Sequence, residues 1–192
     1  ATYVSCFPTQ MNLYAGWNCN AGYPATIDAY PCTPDVIVLS LEPQVPNLIA
    51  NVTSPGGTVD LCDTATYIVE GINVQLGTAY DLELKVILPI GVSIIPGSCM
   101  ISYPAGAPYA GIPDPAFISG TQWKWDISAL NAMIGADGLP GILDTLHNSV
   151  KISFKVITTC AYTSGSTIGF NFHGQSHCGN LTGQEITMSS VL

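Results

Sequence analysis

Three stretches of this chain alternate between apolar and polar residues. A period of two means a strand with one face buried and the other wet. The clearest is Ala79-Tyr-Asp-Leu-Glu-Leu-Lys-Val-Ile-Leu88, where Tyr80, Leu82, Leu84 and Val86 interleave with Asp81, Glu83 and Lys85. Lys151-Ile-Ser-Phe-Lys-Val-Ile157 puts Ile152, Phe154 and Val156 on one face, and Thr167-Ile-Gly-Phe-Asn-Phe172 does so with Ile168, Phe170 and Phe172. Val36–Leu41 and Ala65–Glu70 add shorter runs rich in apolar, β-branched or aromatic residues. Gly/Pro/Ser breakers separate them: Ser54-Pro-Gly-Gly57, Leu88-Pro-Ile-Gly91, Pro96-Gly97 and Ser164-Gly-Ser166, each with turn chemistry. The last lies between two alternating runs and predicts a hairpin. Only Asp126–Ile134 has helical spacing, with Ile127, Leu130 and Ile134 on one face and Asp126 as its cap. The pattern predicts an all-β, Ig-like β-sandwich with one short helix.

The first 58 residues differ: they hold three of the seven cysteines, several prolines and few alternating runs. They read as a disulfide-stapled N-terminal segment, either a small lobe or the end of a preceding module, followed by the sandwich over residues 59–192. Pro43, Pro46 and Pro55 mark residues 43–58 as a linker or an edge segment. No Cys-x-x-Cys occurs, so zinc ribbons and thioredoxin-like sites lack their signature. Widely spaced cysteines point to disulfides and an oxidising, extracellular setting. The candidates are Cys6, Cys19, Cys32, Cys62, Cys160 and Cys178, with connectivity open. Seven is odd, and Cys99, straight after a Pro-Gly turn, is the first choice for the unpaired thiol.

Charge narrows the partners. Four Lys+Arg stand against 13 Asp+Glu, giving a net charge of −9. Nucleic-acid affinity rests on cations that neutralise phosphates, so nucleic acid is excluded as a partner, and a polybasic membrane surface with it. The apolar runs are far shorter than the roughly 20 residues that span a bilayer, so no membrane insertion is expected.

Several segments resemble a known family when taken in order. They are Ala15-Gly-Trp-Asn-Cys-Asn20 with Tyr23-Pro24, Leu61-Cys-Asp-Thr-Ala-Thr-Tyr67, Leu76-Gly-Thr-Ala-Tyr-Asp-Leu82 and Leu88-Pro-Ile-Gly-Val-Ser93. Pro96-Gly-Ser98, Gly138-Leu-Pro-Gly141, Val150-Lys-Ile-Ser-Phe-Lys-Val156, Thr159-Cys160 and Thr163-Ser-Gly-Ser166 follow. Together they resemble the SprB-like repeat modules of giant Bacteroidetes cell-surface gliding-motility adhesins, related to the Ig-like repeats of bacterial surface proteins. The resemblance implies export by the type IX secretion route, display on the outer surface, and tandem copies forming a filament. It supplies no catalytic residues.

The remaining candidate sites rest on residue chemistry. Trp123 and Trp125, two apart on a strand, share a face, and the Pro/Gly-rich stretch 103–118 displays Tyr103 and Tyr109; together they are the candidate contacts for a surface polysaccharide. Asp60 and Asp63 are the candidate calcium ligands, joined by Asp114 or Asp137 at one end of a sandwich, although the alternating acids of a compact calcium loop are missing. His173-Gly-Gln-Ser-His177-Cys178 has zinc-type ligands but not the helical spacing that converges them. Asp144 and His147 could make an Asp–His pair, yet no Gly-x-Ser-x-Gly accompanies them. Thr64 and Thr145 follow Asp and precede an apolar residue, the pattern on which Bacteroidetes O-glycosylate exported proteins. The chain thus reads as a non-enzymatic stalk module whose partners are neighbouring modules of the same chain, with no cofactor unless calcium stiffens a joint. The alternative is a carbohydrate-binding module of a secreted protein, and a secreted hydrolase is the third class.

Overall fold

The computed structural model describes residues 9–15, 35–41, 44–53, 61–127, 138–176, 179–181 and 185–189. The chain divides into two compact units, Ala1–Pro43 and Gln44–Leu192. The first contributes an antiparallel ribbon of β1 (Thr9–Ala15) and β2 (Asp35–Leu41), in register from Thr9 opposite Leu41 to Ala15 opposite Asp35. The sequence put the boundary near residue 58. It falls after Pro43 because β3 (Leu48–Thr53) pairs along its length with β4 (Thr64–Asn73) and so belongs to the second unit, at a sheet edge.

Among the described residues the second unit holds two six-stranded sheets. One runs β3-β4-β11-β7-β8, with β6 (Val92–Ile94) and β7 (Met100–Ser102) sharing one edge of β11 (Ser149–Thr158) and β8 (Ala110–Gly111) outermost. The other runs β13-β12-β5-β10-β9, built from β5 (Tyr80–Ile87), β9 (Ala116–Ser119), β10 (Gln122–Asp126), β12 (Thr167–Ser176) and β13 (Gly179–Leu181). In this sheet β14 (Glu185–Ser189) also pairs with β12.

The period-two runs meet between the sheets. Leu82, Leu84 and Val86 of β5, Ile168, Phe170 and Phe172 of β12, and Val150, Ile152, Phe154 and Val156 of β11 are all buried. Aromatic rings bridge the layers: Trp125 lies 5.1 Å from Phe154, Tyr67 lies 6.0 Å from Phe170, and Phe154 lies 6.2 Å from Phe170. Gly71 of β4 faces Phe172 of the opposite sheet, and a Cβ there would overlap the ring. The layers therefore interdigitate, as two inner faces must to exclude water.

Two expectations need correction. Ser164-Gly-Ser166 is a turn, with Gly165 at φ 83° and the Ser166 N–H donating to the Thr163 carbonyl at 3.1 Å. It is not a hairpin, because β11 and β12 lie in different sheets and the turn carries the chain between layers. Alternation shows which face is buried but not which strand lies alongside. Among the described residues there is no helix. Asp126, the expected cap, ends β10, Ile127 is buried, and positions 128–134 of the expected helix lie outside the described residues.

Candidate functional site

Among the described residues of the second unit, the side chain bonded to the most backbone groups is one that the sequence did not point to. Asn73 ends β4 and is fully buried. Its Nδ2 lies 2.6 Å from the Gly77 carbonyl, 3.1 Å from that of Leu139 and 3.2 Å from that of Pro140. Its Oδ1 accepts from the N–H groups of Asn47 at 3.2 Å and Gln75 at 3.3 Å. The Asn148 side chain donates to the Asn73 carbonyl at 3.2 Å. One buried side chain thus ties together one end of the sandwich, meeting the Gly77 and Leu139 carbonyls in buried bonds and the other three backbone groups in part-buried ones. The signal available in the sequence was slight: a lone amide at the end of an apolar strand, before Leu76-Gly77.

The opposite end of β11 is held by a glycine. Gly91 has φ 84°, and a Cβ on it would overlap the Tyr162 amide nitrogen. The Thr159 N–H donates to the Gly91 carbonyl at 2.8 Å, and the Tyr162 N–H to the Thr159 carbonyl at 2.9 Å. The last residue of Leu88-Pro-Ile-Gly91 is therefore set by a close backbone approach and a left-handed conformation.

The candidate sugar contacts lie apart in environment. Trp123 and Trp125 do share a face, but it points inward, opposite the buried Val86 and Leu84. Trp125 is 3% exposed, while Trp123 is part-buried and edge-on to Phe117 at 5.3 Å. Tyr109 is exposed. Tyr103 packs against the core and lies 6.2 Å from the His147 ring; burial first, then the Asp144 charge, pushes its hydroxyl pKa up. Ser102 holds this loop from below, its hydroxyl donating to the Ala107 carbonyl at 2.6 Å.

The other candidates are surface features. His147 Nδ1 is 3.0 Å from both carboxylate oxygens of Asp144, and this hydrogen bond above all holds the exposed Asp144 carboxyl below its usual range. The Asn148 N–H also returns to the Asp144 carbonyl at 3.0 Å, so the pair organises a turn. His173 faces Glu83 at 3.3 Å, and Glu83 also pairs with Lys124; His177 and Cys178 lie outside the described residues. Asp63 is exposed, and Asp60 and Asp137 lie outside. Asp114 accepts from the Gly97 N–H at 2.9 Å. Among the described residues no three His, Cys, Asp or Glu side chains gather as a metal site. Thr64 and Thr145 are exposed.

The disulfide expectation also changes among the described residues. Cys62, Cys99 and Cys160 all carry free thiols, while Cys6, Cys19, Cys32 and Cys178 lie outside the described residues. Cys99 is sealed in the core at 1% exposure. Burial, then the adjacent Asp114, pushes its thiol pKa up to about 12, so it behaves as a small apolar residue rather than a nucleophile.

No family model matches the chain, and no curated protein does. Solved structures do. The collagen-binding domain of a Staphylococcus aureus adhesin is 12% identical, with a TM-score of 0.47, over 73% of this chain and 95% of that one. The major pilin SpaD of Corynebacterium diphtheriae is 9% identical, with a TM-score of 0.49, over 74% of this chain but only 34% of the pilin. AvmM, described as catalysing macrocyclization in alchivemycin A biosynthesis, is 15% identical, with a TM-score of 0.44, over 74% of this chain and 87% of that one. Surface proteins and an enzyme thus stand among the similar structures. Identities this low carry no information on ligand or activity.

Proposed function

We propose that this chain is a non-enzymatic structural repeat, or stalk, module of a secreted cell-surface adhesin, supporting surface adhesion and gliding motility. The observation that carries it is where the family-like segments fall. Leu76–Leu82 and Gly138–Gly141 meet at Asn73, and Leu88–Gly91 seats on the turn at Thr159–Tyr162. The resemblance therefore lies on what closes the scaffold, as it should for a part whose work is to keep its shape. In this reading the chain leaves the cell by the type IX route, stands on the outer surface, and joins neighbouring modules end to end. Its net charge of −9 keeps adjacent filaments apart.

The burial of Trp125 favours this spacer over a carbohydrate-binding module, which would present both indoles to a sugar. The test is an antibody raised against residues 44–192, applied to intact cells of the source bacterium, together with in-frame deletion of the module. Labelling of unbroken cells and weakened attachment and gliding are expected. Antigen detectable only after lysis, or saturable retention of the purified chain on a polysaccharide column, overturns the reading.

A further inference from the structure

We infer that Cys62 and Cys160 are partners, forming a disulfide across the end of the β4–β11 ladder under oxidising conditions. The ladder runs from Ile72 opposite Ser149 to Thr64 opposite Ile157. Past Thr64 the chain turns at residues 61–62, and the Cys62 N–H donates to the Thr158 carbonyl at 3.2 Å. Past Thr158 the other strand turns at residues 160–161, held by the Thr159–Gly91 and Tyr162–Thr159 hydrogen bonds. Both thiols therefore flank the same ladder end, within two residues of a cross-strand hydrogen bond, and both are exposed. Paired strands lie about 5 Å apart and a disulfide spans Cα atoms up to about 7 Å apart. Each cysteine sits in a turn, with Cys62 at φ 72°, so side-chain rotation and turn adjustment, not slippage of the ladder, bring the sulfurs together. Cys99, the third described cysteine, is buried and out of reach of an oxidant.

The oxidant is a small or protein disulfide. One thiol loses its proton and attacks it, expelling one thiolate and leaving a mixed disulfide. The second thiolate then displaces the other half. One Sγ–Sγ bond forms, the oxidant's disulfide is reduced to two thiols, and two protons pass to the leaving thiolates or to solvent. The bridge would close a loop holding β4 through β11. Tension along the chain would then cross the Sγ–Sγ bond and bypass everything between, which suits a stalk. An oxidising setting in the cell rests on the surface reading, but the pairing does not.

The experiment treats the purified full chain with oxidised glutathione and maps its peptides with and without reduction, alongside Cys62→Ser and Cys160→Ser variants. The expected result is a linked Cys62–Cys160 peptide. A rise of several degrees in melting midpoint on oxidation should appear in the parent chain and be missing from both variants. Linkage of either residue to Cys6, Cys19, Cys32, Cys99 or Cys178, or both remaining free, overturns the pairing. Peptides from chain harvested at the cell surface separate the two ideas: a bridge made by glutathione but missing there leaves the pairing standing and counts against the surface reading.

Discussion

The Asn73 side chain reaches the Leu139 carbonyl at 3.1 Å across 66 residues of sequence. With its contact to Gly77, that bond pins two loops to the end of β4, and no other side chain described here bonds to so many backbone groups. Asn73→Ala would strip those loops of their partner and take the amide from the buried Gly77 carbonyl, while the Leu139 carbonyl keeps the Ala79 N–H. Such an orphan costs about 1–3 kcal/mol, and loss of the other bonds should bring the total to about 2–4 kcal/mol. Asn73→Asp should do no better, since a carboxylate cannot donate to carbonyls. Urea denaturation reads both, and a loss below about 1 kcal/mol would show that water replaces the amide.

Gly91 and Gly97 both adopt positive φ, at 84° and 72°, but only Gly91 abuts another backbone segment. Gly97→Ala should lose about 1–2 kcal/mol, the left-handed penalty alone. Gly91→Ala should lose a further 1–3 kcal/mol, roughly the cost of overpacking against the Tyr162 turn. Equal midpoints for the two variants would contradict the close approach.

Cys99 should resist thiol reagents until the protein unfolds, whereas in the reduced protein the exposed Cys62 and Cys160 should react within the native state. The sign of its pH effect follows from the raised folded pKa, about 12 against an ordinary 9.0. The folded state holds the proton longer than the unfolded state, so the favourable contribution is complete below pH 9. It is lost progressively as the pH climbs from 9 towards 12. Melting in alkaline buffers, compared with Cys99→Ala, isolates this contribution; identical alkaline slopes in the two proteins would exclude it.

Phe154 is fully buried between Trp125 and Phe170. Phe154→Ala should cost about 3–5 kcal/mol, as for other large core aromatics. By contrast, Lys124→Ala removes a part-exposed ion pair with Glu83 and should cost less than about 1 kcal/mol. Paired denaturation curves check both.

The β5, β11 and β12 alternations were legible because burial of one face is written at a fixed period, and their inward residues are buried except Tyr80, which is half-buried beside Asp81 at φ 47°. Asn73 was not legible, because nothing local marks a side chain whose partners lie at Leu139 and Pro140. Trp123 and Trp125 show the same limit. Their spacing fixed a shared face, but only the neighbouring β5 decided that the face was inward.

What the sequence determined by itself was the strands, the turns and the acidic balance of charge. The tertiary structure alone decided that Ser164–Ser166 crosses between layers, that β3 joins the sandwich, and that Cys62 and Cys160 flank one ladder end. The physical reason is that period and turn chemistry act between near neighbours, whereas strand partnership is chosen by which buried faces fit one another across the whole chain.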